Sequence, residues 1–352
     1  MGLETLFWNP KGRSTSKIEH ALGDTHMNIM LLSGGSGKRL WPLSNEVRSK
    51  QFLKLFTNSH GAHESMFQRV YRQIAEASLD ANVVVAAGRS QLGLVRRQVG
   101  DEVDVVLEPA RRDTFPAIAL SCAYLAYEKN RGMDEVVIVL PVDSYTERDY
   151  FTSLLKLEQS IIDGTANIAL MGINPTHPSP KYGYIVPSKF GDGIERFQEK
   201  PSLEQAAQLI EDGAMWNAGV FAFKLGYLMN MMSKYIDFSS CEDVERQYAL
   251  LPKISFDYEV AEKEQSMAVI KYGGLWKDVG TWDSLTEVID GNSLGNVILA
   301  NSCNNTHVIN ELDIPVVVVG ASDMVVVAGP EGILISSKEE SSQIKRYVEK
   351  ID

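Results

Sequence analysis

The sequence predicts an α/β protein with a mostly parallel sheet and a small β appendage at its C-terminal end, and three observations carry that expectation. Short apolar runs rich in β-branched residues recur at residues 29–32, 83–87, 103–107, 136–140 and 168–172, as strands buried on both faces require. Segments of helical spacing separate most of them. The clearest spans residues 114–128, where Ile118, Cys122, Leu125 and Ala126 share a face behind a start at Thr114 with Pro116 in the first turn. After about residue 290 the runs shorten and fall about ten residues apart, punctuated by Gly, Asn, Asp and Pro.

Taken in order, residues 1–26 are polar and carry neither a signal-peptide core nor sustained periodicity, so they read as a leader, disordered or non-native, outside the fold. The first strand then empties into Ser33-Gly34-Gly35-Ser36-Gly37-Lys38-Arg39-Leu40-Trp41-Pro42. Its glycines let backbone N–H groups approach a ligand without Cβ obstruction, and Lys38 and Arg39 supply cationic donors for phosphate. A P-loop is excluded, since Leu32 stands where its first glycine belongs and Arg39 where its hydroxyl residue belongs. The dinucleotide fingerprint fails at Leu40. Pro42 argues against a helix starting at once and for an irregular, wrapping loop.

The chain carries a net charge of -12, which argues against nucleic acid or an anionic membrane as partner. Yet Lys38, Arg39, Arg48, Lys50 and Lys54 face a lone Glu46 between them. A cationic patch on an acidic protein suggests a small polyanionic ligand, with a solvated charged face as the alternative for Arg48 and Lys54. No apolar run approaches the roughly 20 residues a membrane span needs. Cys122, Cys241 and Cys303 are scattered and odd in number, which fits a reducing, cytoplasmic setting.

Further along, Asp143 follows the buried run ending in Leu140-Pro141, so it stands at a strand's carboxyl end, and Asp278 lies in Trp276-Lys277-Asp278-Val279-Gly280-Thr281-Trp282. Two separated aspartates suffice for Mg²⁺ when substrate oxygens complete the shell; taken singly, each also reads as a turn residue or cap. In Glu199-Lys200-Pro201 the proline favours an extended Lys200, presenting a lysine for phosphate and a glutamate for sugar hydroxyls. Asn217 reads as a ligand-facing or a core amide, and Gly183 as a ligand contact or a tight turn. The C-terminal runs suggest a β appendage or a stacked β-helix-like set of turns, closed by a helix over about residues 341–350. The run 316–319 reads as core or subunit interface.

Together, Gly34 to Pro42, Lys50-Gln51-Phe52, Glu108-Pro109 with Arg112-Asp113-Thr114-Phe115-Pro116-Ala117, Glu199-Lys200-Pro201, Trp216-Asn217-Ala218-Gly219 and Asp278 to Trp282 resemble the sugar-phosphate nucleotidyltransferases. The likeness is greatest to their mannose-1-phosphate guanylyltransferase branch. The resemblance covers nearly everything from Met27 onward. It implies a Rossmann-like, glycosyltransferase-A-type mixed sheet over residues 27–289 and a left-handed β-helix-like domain over 290–352. It also implies in-line attack of a sugar 1-phosphate on the α-phosphorus of GTP, with Mg²⁺ as cofactor, GDP-sugar and pyrophosphate as products, and a homodimer.

By the same resemblance, Lys38 and Arg39 hold the triphosphate, with Ser33, Gly34, Gly35, Ser36 and Gly37 enclosing it, and Lys50 sits near the phosphates undergoing transfer. Glu108, Arg112 and Thr114 flank the base. Asp143 and Asp278 bind the metal, Lys200 the sugar phosphate, and Gly183, Glu199, Asn217 and Asp257 the sugar. The chain departs from the family pattern at Asp113, usually Asn, at Ser49, usually Pro and so a lost restraint beside Lys50, and at Ser144-Tyr145, where a histidine is common. A sister enzyme of different specificity and a non-catalytic nucleotide-sugar sensor are the competing readings.

Overall fold

The computed structural model describes residues 27–35, 38–188 and 193–351. The expected leader and the site candidates Ser36 and Gly37 lie outside the described residues, as does the Lys38 side chain. In chain order the first strands are β1 (Met27–Leu32), a short hairpin of β2 (Phe56–Thr57) and β3 (His63–Glu64), β4 (Ala81–Gly88), β5 (Asp104–Glu108) and β6 (Val136–Pro141). β1 is central, parallel to β4 on one side and to β6 on the other, with β5 parallel beyond β4. Alternation along β1 feeds two cores. Ile29 and Leu31 pack with Phe67, Phe151 and Leu154, whereas Met30 packs with Ile118, Val139 and Phe223 on the other face.

The helix Thr114–Ala123 starts where expected because the Asp113 side chain accepts from the Thr114 N–H at 2.8 Å. It is buried at every position from Phe115 to Ala123 and runs on into a wider turn over Tyr124–Glu128.

The second half of the sheet corrects the mostly parallel reading of the periodicity and bears out the mixed sheet that the resemblance implies. It comprises β8 (Ile168–Ile173), β9 (Tyr184–Pro187), β10 (Ile194–Gln198), β11 (Met215–Lys224) and β12 (Met267–Tyr272), while β7 (Ser144–Thr146) and β13 (Trp276–Asp278) form a separate two-stranded sheet. β11 runs antiparallel to β6, β8 and β9, and β10 antiparallel to β9, while β12 is parallel to β8. The sheet is therefore mixed, in the order β10-β9-β11-β6-β1-β4-β5 with β8 and β12 beside β11. Residues 188–193 are too few for the crossover that a parallel β9–β10 pair would need.

From Ser293 the chain winds through β14 (Ser293–Gly295), β15 (Val297–Leu299), β16 (His307–Asn310), β17 (Val316–Val318), β18 (Met324–Gly329) and β19 (Gly332–Ser337). β14, β16 and β18 stack in parallel, as do β15 and β17, and β19 folds back on β18. The expected β-helix-like turns are thus present. The buried Asn310 amide ties successive turns by donating to the carbonyls of Asn296 and Ile314 at 2.9 and 2.7 Å. Gly295 passes so close to the next turn that a Cβ would lie 1.9 Å from the Asn310 carbonyl oxygen, at φ +88.

Two local expectations change. The closing helix is shorter than expected, a tight turn over Glu339–Gln343 followed by a single α-helical turn over Lys345–Val348. In the run 316–319, Val317 and Val319 are 59% and 71% exposed, so it is no core segment.

Candidate active site

β1 is the strand from which β4 and β6 depart in opposite directions, and such a switch point opens a crevice beyond the carboxyl ends of the strands. The glycine-rich loop fills the rim of that crevice. Ser33 is buried, its N–H and hydroxyl both donating to the Ala86 carbonyl at 3.0 and 2.8 Å, and its own carbonyl accepts from the Gln51 amide. Gly34 and Gly35 beyond it are exposed, and Lys38–Leu40 form a single tight turn.

Glu108, at the end of β5, faces this loop: one carboxylate oxygen is 3.9 Å from where a Cβ on Gly34 would stand, and the other accepts from the Tyr248 hydroxyl at 2.9 Å. Burial pushes its carboxyl above the usual range, against the Tyr248 hydrogen bond and Arg111. Arg112 and Thr114 also make long-range hydrogen bonds. Arg112 donates to the Leu251 carbonyl at 2.8 Å, and the Thr114 hydroxyl accepts from the Phe256 N–H at 2.8 Å. Both therefore lock the segment before the helix onto the one that carries Asp257.

Next to the loop lies a charged centre. The Lys50 ammonium is 2.8 Å from Asp143, 3.8 Å from Asp278, and donates to the Val279 carbonyl at 3.1 Å. Asp143 comes from the turn after β6, and Asp278 from the end of β13. The antiparallel pairing of β13 with β7 sets Asp278 against Ser144 and so brings the two carboxylates together. Arg39 approaches from the loop: a Cβ on Gly280 would lie 3.4 Å from Asp278 and 3.7 Å from the Arg39 guanidinium.

Burial works against the Lys50 charge, yet Asp143 and Asp278 outweigh it and hold the ammonium above its ordinary value. Burial likewise opposes the Asp143 charge, but Lys50 wins and holds that carboxyl low. Asp278 is raised, by burial first and also by Asp143, against the pull of Lys50. Ser49 costs Lys50 no restraint. It is fully buried with φ -68 and ψ 163, and its hydroxyl accepts from Gln91 at 2.9 Å, so a hydrogen bond does the work of the family's proline.

Asp143 and Asp278 also border a cavity of about 200 Å³ lined by Gly183, Glu199, Asn217 and Asp257. The buried Asn217 donates to Asp257 at 2.9 Å and accepts from the Gly219 N–H at 3.0 Å. One oxygen of the buried Glu199 pairs with Lys200; the other has no partner among the described residues and stands where a Cβ on Gly183 would be.

Lys200 is not extended as its proline predicts. It adopts φ +44, because its N–H donates to the Tyr182 carbonyl at 3.2 Å while the Glu199 N–H is drawn to Glu262 at 2.8 Å. Its ammonium hangs 5.9 Å over the Tyr258 ring.

Sequence reasoning missed the aromatic wall of this cavity. Tyr182 and Trp276 line it, 5.7 Å apart centroid to centroid, and the buried Trp216 lies 4.6 Å from Tyr182. Both tryptophans stand in quoted stretches, but only the tertiary structure brings them beside Tyr182. Such rings can cover the apolar face of a sugar. It also missed Gln51, whose side chain holds the Ser33 carbonyl.

Burial, and Glu199 nearby, push the Asp257 carboxyl up to about 7, with Lys200 offsetting part of the rise. A raised acid contributes stability that is complete below its unfolded value near 4 and lost as pH rises through its folded value. Stability against denaturant is expected to fall from about pH 4 to about pH 7 in the parent protein on account of this group, and Asp257→Asn to flatten that decline. An unchanged slope in the variant would assign the decline to other groups.

The nucleotidyl transferase family model matches residues 28–292. Mannose-1-phosphate guanylyltransferase RfbM of Salmonella typhimurium is 30% identical over 352 residues, 91% of this chain and 71% of its own length. A mannose-1-phosphate guanylyltransferase of Escherichia coli is 30% identical over 358 residues, 92% of this chain and 75% of its own. A crystal structure from Thermus thermophilus, described as a mannose-1-phosphate geranyltransferase, superposes with a TM-score of 0.72 at 28% identity, over 93% of this chain and 98% of that one. With its mixed sheet, its loop at the switch point and this match across most of its length, the chain belongs to the nucleotidyl transferase family.

Proposed function

We propose that the protein transfers GMP from GTP to mannose 1-phosphate, releasing GDP-mannose and pyrophosphate. The observation that carries the reading is the position of Lys50, Asp143 and Asp278 at the junction of two compartments, the glycine-rich loop on one side and the Glu199–Asn217 cavity on the other. A phosphate oxygen of the sugar phosphate attacks the α-phosphorus, the bond from that phosphorus to the bridging oxygen breaks, and pyrophosphate leaves with the electron pair. No protein nucleophile is required, so positioning and charge neutralisation supply the catalysis.

Arg39 and the loop backbone hold the triphosphate in this reading, Lys50 neutralises charge that builds at the α-phosphate, and Lys200 meets the sugar phosphate. Glu199 and Asn217 accept and donate to sugar hydroxyls, and Glu108 meets the base edge.

The donor set suits Mg²⁺: two hard carboxylates converge on one point, and no group of three or more metal-ligating side chains occurs among the described residues, so substrate oxygens would complete the shell. Asp143 and Asp278 would hold the ion, which supplies Lewis-acid neutralisation of the phosphates. The protein works in this reading as a cytoplasmic homodimer. In support, Cys122, Cys241 and Cys303 are free, no helix among the described residues is long and apolar enough to cross a membrane, and Ile298 and Val317, register partners on β15 and β17, turn outward at 59% exposure each.

Pyrophosphate release measured across several nucleoside triphosphates crossed with several sugar 1-phosphates tests the assignment. GTP with mannose 1-phosphate is expected to lead the panel. Activity confined to another pair would make the chain a sister enzyme, and GDP-sugar binding without turnover would make it a sensor.

A further inference from the structure

Arg48 belongs to the cationic patch near the loop, yet the proposed chemistry does not use it. Its guanidinium makes a two-pronged ion pair with Glu311 at 2.6 and 2.7 Å, 263 residues away, just after β16 of the C-terminal coil. Beside it, Asn45 closes the turn by accepting from the Val47 and Arg48 N–H groups at 3.0 and 2.7 Å, and its amide donates to Glu331 of the coil. Two coil glycines press on the preceding residues. A Cβ on Gly332 would lie 2.6 Å from the Trp41 ring, and one on Gly329 would lie 2.7 Å from the Leu43 side chain. The Trp41 carbonyl accepts from the Trp282 indole at 3.0 Å.

The segment so gripped, residues 41–48, joins Arg39 to Lys50, the two cations assigned to the triphosphate. We infer that the C-terminal coil is a brace for the nucleotide loop, with Arg48 and Glu311 as positioning residues that set Arg39 and Lys50 at the right distance for a bound nucleoside triphosphate. The inference rests on the nucleotide reading of that loop. It makes the coil part of the catalytic machinery, since a misplacement of about 1 Å can cost up to about a hundredfold in rate.

The test uses the full chain with Arg48→Ala, Glu311→Ala and the charge swap Arg48→Glu/Glu311→Arg. KM for GTP and for mannose 1-phosphate is measured well below melting, and amide exchange is followed across residues 41–50. The single variants are expected to raise KM for GTP about tenfold, leave KM for the sugar phosphate unchanged and lose amide protection; the swap is expected to recover both. A lower melting temperature with KM for GTP and protection unchanged would reduce the pair to structural glue and overturn the brace, as would an equal rise in both KM values. Should the parent protein release pyrophosphate from no triphosphate, the reaction assignment fails by itself. Amide exchange then decides the brace alone, lost and rescued protection supporting it and unchanged protection overturning it.

Discussion

Replacing Asp278 by asparagine is expected to lower kcat for pyrophosphate release about a thousandfold, equivalent to about 4 kcal/mol of transition-state stabilisation. The substitution keeps the side-chain shape and removes one of the two carboxylates that converge on Lys50, the other being Asp143 at 2.8 Å. Lys50, Arg39 and the glycine-rich loop remain, so KM for GTP is expected to hold or fall with one negative charge fewer beside the triphosphate. That split, kcat lost and KM kept, separates a role in the transition state from a role in uniform binding. Raising Mg²⁺ is expected to recover little, because one of the two proposed protein ligands is gone. A kcat within about tenfold of the parent would remove Asp278 from the reacting centre.

Gly183→Ala is expected to damage the other compartment. The new Cβ would stand 2.4 Å from a Glu199 oxygen and 2.6 Å from the Phe197 ring, both distances that real side chains do not tolerate. Glu199 has no easy retreat, since it is buried and paired with Lys200, and Phe197 is only 5% exposed. Overpacking of this kind costs about 1–3 kcal/mol, a drop of a few degrees in melting temperature. The functional signature is sharper: KM for mannose 1-phosphate is expected to rise about tenfold or more while KM for GTP stays near the parent value, because the displaced Glu199 and Lys200 serve the sugar side. Equal losses for both substrates, or none, would show that Gly183 merely accommodates the backbone turn.

Much of the site was legible because its chemistry needs particular residue types at points where an apolar pattern breaks. Asp143 and the Glu199-Lys200 pair follow the ends of β6 and β10, Asp278 ends β13 and Lys50 sits in a tight turn, and charged groups gathered at such half-buried points are costly to keep unless something binds there. Arg112 and Thr114 show where that reasoning thins out. Their motif points to a nucleotide, and what it does not foretell is their partners 139 and 142 residues away, Leu251 and Phe256. Lys200 is another such place. The local rule for a residue before proline predicts an extended backbone, and two hydrogen bonds to distant groups impose φ +44 instead.

By itself the sequence determined β1, β4, β5, β6 and β8 of the central sheet, the break from β1 into a glycine-rich loop, and the identity of the charged groups, since each depends on local periodicity or on side-chain chemistry. Only the tertiary structure decided which strands of the mixed sheet run antiparallel, that Asp143 and Asp278 meet at Lys50, that Tyr182 and Trp276 line the Glu199–Asn217 cavity, and that Glu311 of the C-terminal coil reaches Arg48. The division has one physical cause. Period and propensity are written in neighbouring residues, whereas strand direction, convergence of charge and contact between domains arise from pairings between segments far apart in the chain, which no local pattern encodes.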